Sequence, residues 1–289
     1  MLGAYTLGSE PLGDGQVAVA APPPSGTGPN AYPALLADSR FLDGLPVASS
    51  TASGSSVLNI TDLKMYTYWQ ATGTGMSTIQ VDCGSAKGAN AMAMAGHNLN
   101  SAGAQVSLRY STDGVRWAPA AATFTPDSDK AFLVQFPAQT ARFWQLIISN
   151  ASDAPQIAVA MIGTLFSFPR YPESGFDPDN TYINADAASS ESGALLGVEI
   201  AYQEREVDVQ WKYLTPDWCK NSFRPLWDGW LSLLLPFFWG WDLTNHPDEV
   251  YFMWISPGHG NSAKDGVQRT MPFDPVRRTL DLTLSGVKE

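Results

Sequence analysis

The run that decides the fold lies at residues 78–84 and reads Thr78-Ile79-Gln80-Val81-Asp82-Cys83-Gly84. Its side chains alternate between apolar and polar until the Gly, which is the pattern of a half-buried strand that ends in a turn. Residues 106–110 alternate in the same way and lead into Asp113-Gly114, a strong hairpin signal because Gly adopts positive φ without strain. The stretch from 68 to 117 therefore predicts short antiparallel strands, as in a β-sandwich.

Four motifs in this stretch follow one another in a defined order. They are Trp69, Ile79-Gln80-Val81-Asp82-Cys83-Gly84, His97-Asn98 and Ser111-Thr112-Asp113-Gly114-Val115-Arg116-Trp117. Their order and spacing resemble the discoidin family (coagulation factor 5/8 type C, galactose-binding-like) over roughly Leu35 to Phe168. The resemblance implies a jelly-roll β-sandwich. Members of this family often bind sugars or lipids through loops at one end, and many serve only as structural modules, so the fold does not settle the ligand.

Length and charge limit the remaining possibilities. The chain has 289 residues, which is too long for one minimal sandwich and suits two domains. A formal net charge of −11 argues against nucleic acid and anionic membranes as partners. The most apolar segment, 226–241, is too short for a membrane span and contains Asp228 and Pro236, so a buried core element is predicted there.

No cofactor or metal site is expected from the sequence. Cys83 and Cys219 lack the spacing of a zinc site, and we expect both to be reduced and buried. The first eight residues lack the basic start and apolar core of a secretory signal, which predicts assembly in a cytoplasm.

The chain divides into four predicted parts. Residues 1–15 are predicted to form a strand that joins the C-terminal domain or a neighbouring subunit, because a lone strand cannot pair its own backbone. Residues 16–34 are a Pro- and Gly-rich linker. The sandwich is expected at 35–168, and a second β domain with one helix at 169–289.

The second domain shows strand patterns around one helix signal. Period-two alternation at 196–202 and 207–214 is typical of half-buried antiparallel strands. Thr215-Pro216 has the form of an N-cap followed by Pro at the first helical position, which predicts a helix over Trp218 to Leu235. The predicted fold is therefore mainly β, a discoidin-like sandwich plus a second β-sandwich carrying one helix.

A second resemblance concerns both ends of the chain. Leu235-Pro236-Phe237-Phe238-Trp239-Gly240-Trp241, followed by His246-Pro247-Asp248-Glu249-Val250-Tyr251, is similar to a pattern in distal and minor tail proteins of long-tailed bacteriophages. The similarity covers residues 1–15 and 170–289. It implies that the second β-sandwich is tail-tube-like and forms a homo-oligomeric ring, hexameric in that family, that links the tail tube to the hub in the virion. Appended modules would face outward, with host surface glycans as candidate ligands.

Candidate ligand-binding residues lie in the predicted sandwich. We interpret six side chains as a candidate glycan site: Tyr66, Tyr68, Trp69, His97, Asn98 and Trp117. Aromatic rings can stack on sugars, and Tyr66 and Tyr68 would share one face of a strand. The alternative is structural: His97-Asn98 would hold a turn, Trp117 would cover the core, and Asp82 would stabilise a turn rather than bind calcium.

The candidate subunit interface consists of Tyr5, Leu7, Trp239 and Trp241, although the aromatic residues from 211 to 254 are equally typical of a core. No catalytic residues are predicted, since the nucleophile-elbow, P-loop and zincin patterns are absent from the sequence. Two alternatives to a tail-tip protein remain open. One is a free carbohydrate-binding protein, and the other is a polysaccharide-degrading enzyme whose two carboxylates are remote in sequence.

Overall fold

The protein is mainly β and contains two β-sheets, as the sequence predicts. The computed structural model describes residues 32–173, 175–256 and 277–287. The predicted N-terminal strand at 1–15, with Tyr5 and Leu7, and all but the last three residues of the predicted linker at 16–34 lie outside the described residues.

The first sheet has the strand order β3-β8-β4-β7-β5-β6, with β2 paired to β4. Its strands are β2 (Val47–Ala48), β3 (Trp69–Gln70), β4 (Ser77–His97), β5 (Gln105–Ser111), β6 (Ala118–Pro119), β7 (Phe132–Ser149) and β8 (Gln156–Gly163).

Two long strands of this sheet, β4 and β7, bend sharply, and their two halves lie in the two layers of a sandwich. The register between β4 and β7 shifts between Asp82 and Lys87, where Gly84 has a φ of 70° that suits a sharp bend. The side chains of Val81 before the bend and Met92 after it belong to one buried core. A two-layer sandwich results, with Trp144 fully buried between its layers.

The second sheet has the order β10-β11-β14-β13-β12-β1-β9. Its strands are β1 (Ala34–Leu36), β9 (Phe166–Ser167), β10 (Thr181–Ser189), β11 (Leu195–Leu214), β12 (Phe237–Gly240), β13 (Val250–Ile255) and β14 (Arg278–Val287). The two ends of the range assigned to the sandwich from sequence, 35–168, thus carry strands of the second sheet. β1 and β9 pair with each other, so the chain leaves and re-enters this sheet at adjacent positions.

A middle core joins the two sheets. In the second half of β4, Met92 and Met94 face the core of the sandwich, while Ala91, Ala93 and Ala95 face the opposite way. These alanines pack in one cluster with Phe238 and Phe252 of the second sheet. Because successive strand residues point to opposite faces, this one strand serves two cores.

The other face of the second sheet is covered by one helical segment. It consists of α1 (Pro216–Trp218), a π-helical turn (Cys219–Phe223) and α2 (Arg224–Gly229), followed by a 3₁₀ turn (Leu231–Leu233). Two further 3₁₀ turns, at Arg40–Leu42 and Val57–Thr61, lie in the sandwich half of the chain. Phe223 and Trp227 pack in a core with the fully buried Trp211 and Trp239.

The helix begins as predicted but ends earlier. The Thr215 side chain caps it by accepting a hydrogen bond from the Trp218 N–H. Pro225 has no N–H to donate within the helix, and the wider π-helical turn lies directly before it. The predicted helix to Leu235 stops at Gly229, since Trp230 leaves helical backbone angles and Leu234 is left-handed. No helix in the described part of the chain is long and apolar enough to cross a membrane.

Candidate functional site

The sandwich has two ends with different loops. At one end, Asn98 contacts Ala154, Ser152 contacts Ala102, and Tyr68 contacts Ser55. The Ala71 N–H also donates to the Pro155 carbonyl at 3.0 Å. Together these contacts bring the loops 49–56, 64–68, 71–76, 98–104 and 150–155 to one end, which we call the loop end. The β4 bend at Gly84 and the hairpin at 112–117 lie at the opposite end, because Ser111 pairs with Phe143 and Phe143 pairs with Asp82.

Tyr66 and Tyr68 are the exposed aromatic residues of the loop end. Their exposed fractions are 78% and 42%. They lie in a turn and the segment after it rather than in a strand, so they do not share a strand face as the sequence analysis assumed. Asp62 closes this turn, since its carboxylate accepts from the Lys64 N–H at 3.0 Å and the Thr67 hydroxyl at 2.7 Å.

The backbone beneath the two tyrosines is fixed from both sides. The Tyr68 carbonyl accepts hydrogen bonds from Ser55 Oγ and Asn59 Nδ2, each at 2.8 Å. Lys64 Nζ lies 5.8 Å from the centroid of the Tyr66 ring. The loop end therefore presents two aromatic rings and an ammonium group on a held backbone, an arrangement that can stack on a sugar and donate hydrogen bonds to it.

Trp69 is a core residue. Its side chain is fully buried, and its indole N–H donates to the Ser50 carbonyl at 3.0 Å and to Thr51 Oγ1 at 3.2 Å. Neither ring face is open to solvent, so the predicted role of Trp69 in stacking on a ligand is corrected to anchoring the loop 49–56. The alternation of exposed Tyr68 with buried Trp69 is decided by the pairing of Trp69 with Ile157.

His97 and Asn98 hold loops together, which was the structural alternative. His97 is buried, its Nδ1 accepts from the Leu99 N–H at 3.3 Å, and burial lowers the pKa of His97 to about 4. Asn98 donates from Nδ2 to the Ala154 carbonyl at 3.1 Å and accepts at Oδ1 from the Gln156 N–H at 2.7 Å. Both side chains are engaged within the module, so the structure does not present them as ligand groups.

Trp117 lies at the end of the sandwich opposite to Tyr66 and Tyr68. The hairpin before it forms as predicted: the Asp113 carboxylate accepts from the Val115 and Arg116 N–H groups at 2.9 and 2.8 Å, and Gly114 has a φ of 74°. Trp117 is half-buried. The six predicted glycan residues therefore do not form one site. Of the six, only Tyr66 and Tyr68 are both exposed and close to each other.

Asp82 has a protein partner. Arg142 donates to its two oxygens at 2.6 and 2.7 Å, and this hydrogen bonding holds the pKa of Asp82 below its usual range. Asp82 also accepts from the Gly84 N–H at 2.8 Å, which is the turn-stabilising role considered from the sequence. Within residues 32–173, 175–256 and 277–287, no group of three or more His, Cys, Asp or Glu side chains could hold a metal ion.

Trp239 and Trp241 are the two described residues of the predicted subunit interface, and both make contacts within the chain. Trp239 is fully buried and packs near Tyr251. Trp241 is half-buried, donates to Glu249 Oε2 at 2.5 Å and lies against the His246 ring. Trp239 therefore offers no surface to a neighbour, and the aromatic residues here form a core.

A cavity of about 210 Å³ lies where the sandwich meets the second sheet. Lys130, Asp179, Arg205 and Tyr251 contribute to its wall. Arg205 donates to Asp179 Oδ1 at 2.6 Å and stacks over the Tyr251 ring at 4.0 Å, and burial raises the pKa of Tyr251. Since Arg205 and Asp179 are already paired, the cavity is a polar junction between the two halves of the chain.

Sequence reasoning missed an exposed surface on β10 and β11. β11 forms where the alternation at 196–202 and 207–214 predicts strand, whereas β10 was not predicted from the sequence; residues 195–203 of β11 are exposed rather than half-buried. β14 pairs with β11 only from Glu204 onward, so the earlier part has β10 as its one neighbour among the described strands. Alternation of polar and apolar residues indicates which side chains share a face of a strand, but it does not indicate whether another segment covers that face.

Comparison with known proteins assigns the sandwich to a family. The F5/8 type C domain model matches residues 47–161. This part of the chain is an F5/8 type C domain. The matched residues include the motifs from Trp69 to Trp117. No curated protein matches the chain.

Solved structures similar to the F5/8 type C domain include several carbohydrate-binding modules. A chitosan-binding module of a chitosanase/glucanase from Paenibacillus sp. IK-5 is 17% identical, with a TM-score of 0.38, and the match covers 43% of this chain and 97% of that one. A pectin-binding module is 22% identical, with a TM-score of 0.35 and coverages of 40% and 87%. A Clostridium perfringens module in complex with GalNAc-β-1,3-galactose is 15% identical, with a TM-score of 0.39 and coverages of 45% and 99%.

Proposed function

We propose that the chain is a structural subunit of a bacteriophage tail tip. Its second sheet would build a ring between the tail tube and the hub, and its F5/8 type C domain would bind host surface glycans. We further propose that it is not an enzyme and that it resides in the virion after assembly in the host cytoplasm. The proposal extends the resemblance carried by residues 235–251.

The middle core is the observation that carries this proposal. Ala91, Ala93 and Ala95 are fully buried and pack in one cluster with Phe238 and Phe252 across the two sheets. The F5/8 type C domain is thus packed against the second sheet as part of one larger body, which fixes the direction of its loop end. A fixed orientation lets an assembly present a glycan-binding surface outward. A rigidly held site also loses less conformational entropy when it binds a ligand.

The loop end supports the glycan part of the proposal. Tyr66 and Tyr68 are exposed, and the backbone that carries them is held by Asp62, Ser55 and Asn59. Aromatic rings on a preorganised loop stack against the apolar face of a pyranose, while an ammonium such as that of Lys64 donates hydrogen bonds to its oxygens.

The engagement of carboxylates supports a non-enzymatic role. Asp82 is paired with Arg142, Asp179 with Arg205, and Glu249 with Trp241 and His246. A glycosidase needs two carboxyl groups placed to protonate a leaving group and to attack or activate water. These three side chains instead stabilise turns and the junction between the sheets.

The glycan part is tested with a double substitution, Tyr66→Ala and Tyr68→Ala. Affinity for the glycans that the wild-type chain binds on an array should fall at least about tenfold, or ~1.4 kcal/mol, because the stacking surface is lost. Trp117→Ala, at the other end of the domain, is the matched control and should leave affinity unchanged. Equal binding by the double variant and the wild type would place the glycan site elsewhere.

The assembly part is tested on purified virions. Electron microscopy with a label on this chain should locate several copies in a ring at the tail tip. Absence of the chain from particles contradicts the proposal. If the isolated chain still binds glycans in that case, the alternative of a free carbohydrate-binding protein is supported.

A further inference from the structure

Residues 181–203 form a two-stranded ribbon that projects beyond the rest of the second sheet. We call this segment the ribbon. It consists of β10 and the first part of β11, whose pairing with β14 starts only at Glu204. Two paired strands alone are marginal in water, so a partner that covers one face of the ribbon would stabilise it.

One face of the ribbon is acidic and aromatic. Asp186 lies directly opposite Glu199, which brings two carboxylates to neighbouring positions on the same face. Tyr182 shares this face because it lies four residues before Asp186, and Tyr202 shares it through its pairing with Asn184. The exposed fractions of Tyr182 and Tyr202 are 37% and 46%.

The negative charges on this face favour a cationic partner. Like charges directly opposite each other in a sheet are destabilising unless a counter-charge lies beside them. The ribbon itself contains three acidic residues, Asp186, Glu191 and Glu199, and neither Lys nor Arg. The counter-charge must therefore come from outside the ribbon, and two tyrosine rings beside the carboxylates suit the flat guanidinium of Arg.

The opposite end of β11 carries a basic surface of matching chemistry. We call it the Tyr213 patch, formed by Arg170, Lys212, Tyr213 and Arg277. Tyr213 is 53% exposed, and the guanidinium carbons of Arg277 and Arg170 lie 4.9 and 6.0 Å from its ring centroid. Lys212 Nζ lies 3.9 Å from the Glu173 carboxylate.

The backbone at the Tyr213 patch is strained. Tyr213 has a φ of 61°, in the left-handed region that non-Gly residues rarely adopt, and the β11–β14 register shifts between Trp211 and Leu214. Such strained positions persist only where the surrounding structure holds them, and they cluster at ligand-binding and switch regions. The distortion presents the ring and the flanking arginines to solvent.

We propose that the acidic face of the ribbon of one copy docks on the Tyr213 patch of a second copy. Arg170 and Arg277 of the patch pair with Asp186 and Glu199 and stack on Tyr182 and Tyr202. The two surfaces lie at opposite ends of the 20-residue strand β11, so the contact is head-to-tail. A head-to-tail contact generates a closed ring or a filament, according to its rotation. The inference deepens the assembly part of the proposed function and is independent of its glycan part.

Two isosteric variants test the contact. The first, Asp186→Asn with Glu199→Gln, neutralises the ribbon, and the second, Arg170→Gln with Arg277→Gln, neutralises the Tyr213 patch. Sedimentation velocity of the full chain should show concentration-dependent association of the wild type that weakens as salt increases. Each variant alone should associate at least about tenfold more weakly, because charge-assisted contacts across the interface are lost. Glu191→Gln, at the tip of the ribbon, is the control for loss of a carboxylate and should associate as the wild type does.

Mixing the two variants distinguishes a head-to-tail contact from other arrangements. Each variant keeps one intact surface, so an equimolar mixture should form a one-to-one dimer and stop there. A ribbon-to-ribbon contact between copies predicts no recovery on mixing and would overturn the proposal. So would a wild-type chain that remains monomeric at its highest soluble concentration, or a ribbon variant that associates normally. Virion labelling answers a separate question, since the chain can be present in tail tips even if this contact fails.

Discussion

His97 shows how one residue connects several loops of the F5/8 type C domain. Its buried ring accepts the Leu99 N–H, lies 3.9 Å from the Asp129 carboxylate and packs edge-on against Phe132. Asp129 in turn accepts from the Asn100 and Ser101 N–H groups. Because the ring accepts at Nδ1 and is shielded from water, the folded state holds it neutral.

This burial predicts a pH dependence of stability. The pKa of His97 is lowered to about 4, against 6.5 for an unperturbed His, so between these values the unfolded chain binds more protons than the folded one. The free energy of unfolding should therefore fall as pH drops from about 6.5 to about 4, by on the order of 3 kcal/mol from this group. His97→Gln should flatten the curve over that window in urea titrations. An unchanged slope in His97→Gln would contradict the assignment.

Adjacent residues at the loop end have opposite roles. Tyr68 is exposed and Trp69 is buried, although the sequence marked both as candidate ligand residues. Residue type could not separate them, because an aromatic side chain suits both a core and a sugar platform. The pairing of Trp69 with Ile157, 88 positions later, decides which ring turns inward.

At the scale of elements, the helical segment depends on its cap. The Thr215 hydroxyl accepts the Trp218 N–H at 3.3 Å and satisfies one of the free N–H groups of the first turn. Thr215→Ala should lower the free energy of unfolding by about 1 kcal/mol. Thr215→Ser keeps the hydroxyl and should retain most of that stability in the same denaturant titration. Equal losses in both variants would show that the methyl group, rather than the cap, matters.

Strand β11 shows the limit of pattern reasoning at this scale. Its two alternating stretches, 196–202 and 207–214, look alike in sequence and both form strand. Val207, Val209 and Trp211 are buried beneath the helical segment, whereas Val198 and Ile200 are 55% and 53% exposed. The difference arises because the pairing of β14 with β11 begins only at Glu204, which no local pattern within β11 reports.

At the scale of the whole molecule, the alanines of β4 set the separation of the two sheets. Ala93 is fully buried, and its pairing partners Leu133 and Met161 face the same middle core. The small side chain leaves room for Phe238 and Phe252 from the opposing sheet. A larger residue at this position must push the layers apart or force strained side chains.

Ala93→Leu should therefore destabilise the protein by roughly 1–3 kcal/mol. Hydrogen exchange should accelerate in β12 and β13 as well as in β4, because the substitution acts on both sheets through one core. Met94→Leu, the neighbouring residue that faces the sandwich core, conserves volume and should have the smaller effect, confined to the first sheet. Protection lost in β4 alone would show that the sheets are not coupled through the middle core.

The sequence by itself determined the mainly β class, strand segments such as 78–82 and 106–110, the Asp113-Gly114 hairpin, the Thr215 cap and the F5/8 type C motifs. Each of these depends on residues close together in the chain, where alternation, positive φ and side-chain capping act locally. Only the tertiary structure decided that Ala91, Ala93 and Ala95 join two sheets, that Trp69 and Trp239 are buried while Tyr66 is exposed, and that Val198 and Ile200 are exposed. Burial depends on which distant segment packs against a face of a strand, and the alternating pattern of that strand does not identify the segment.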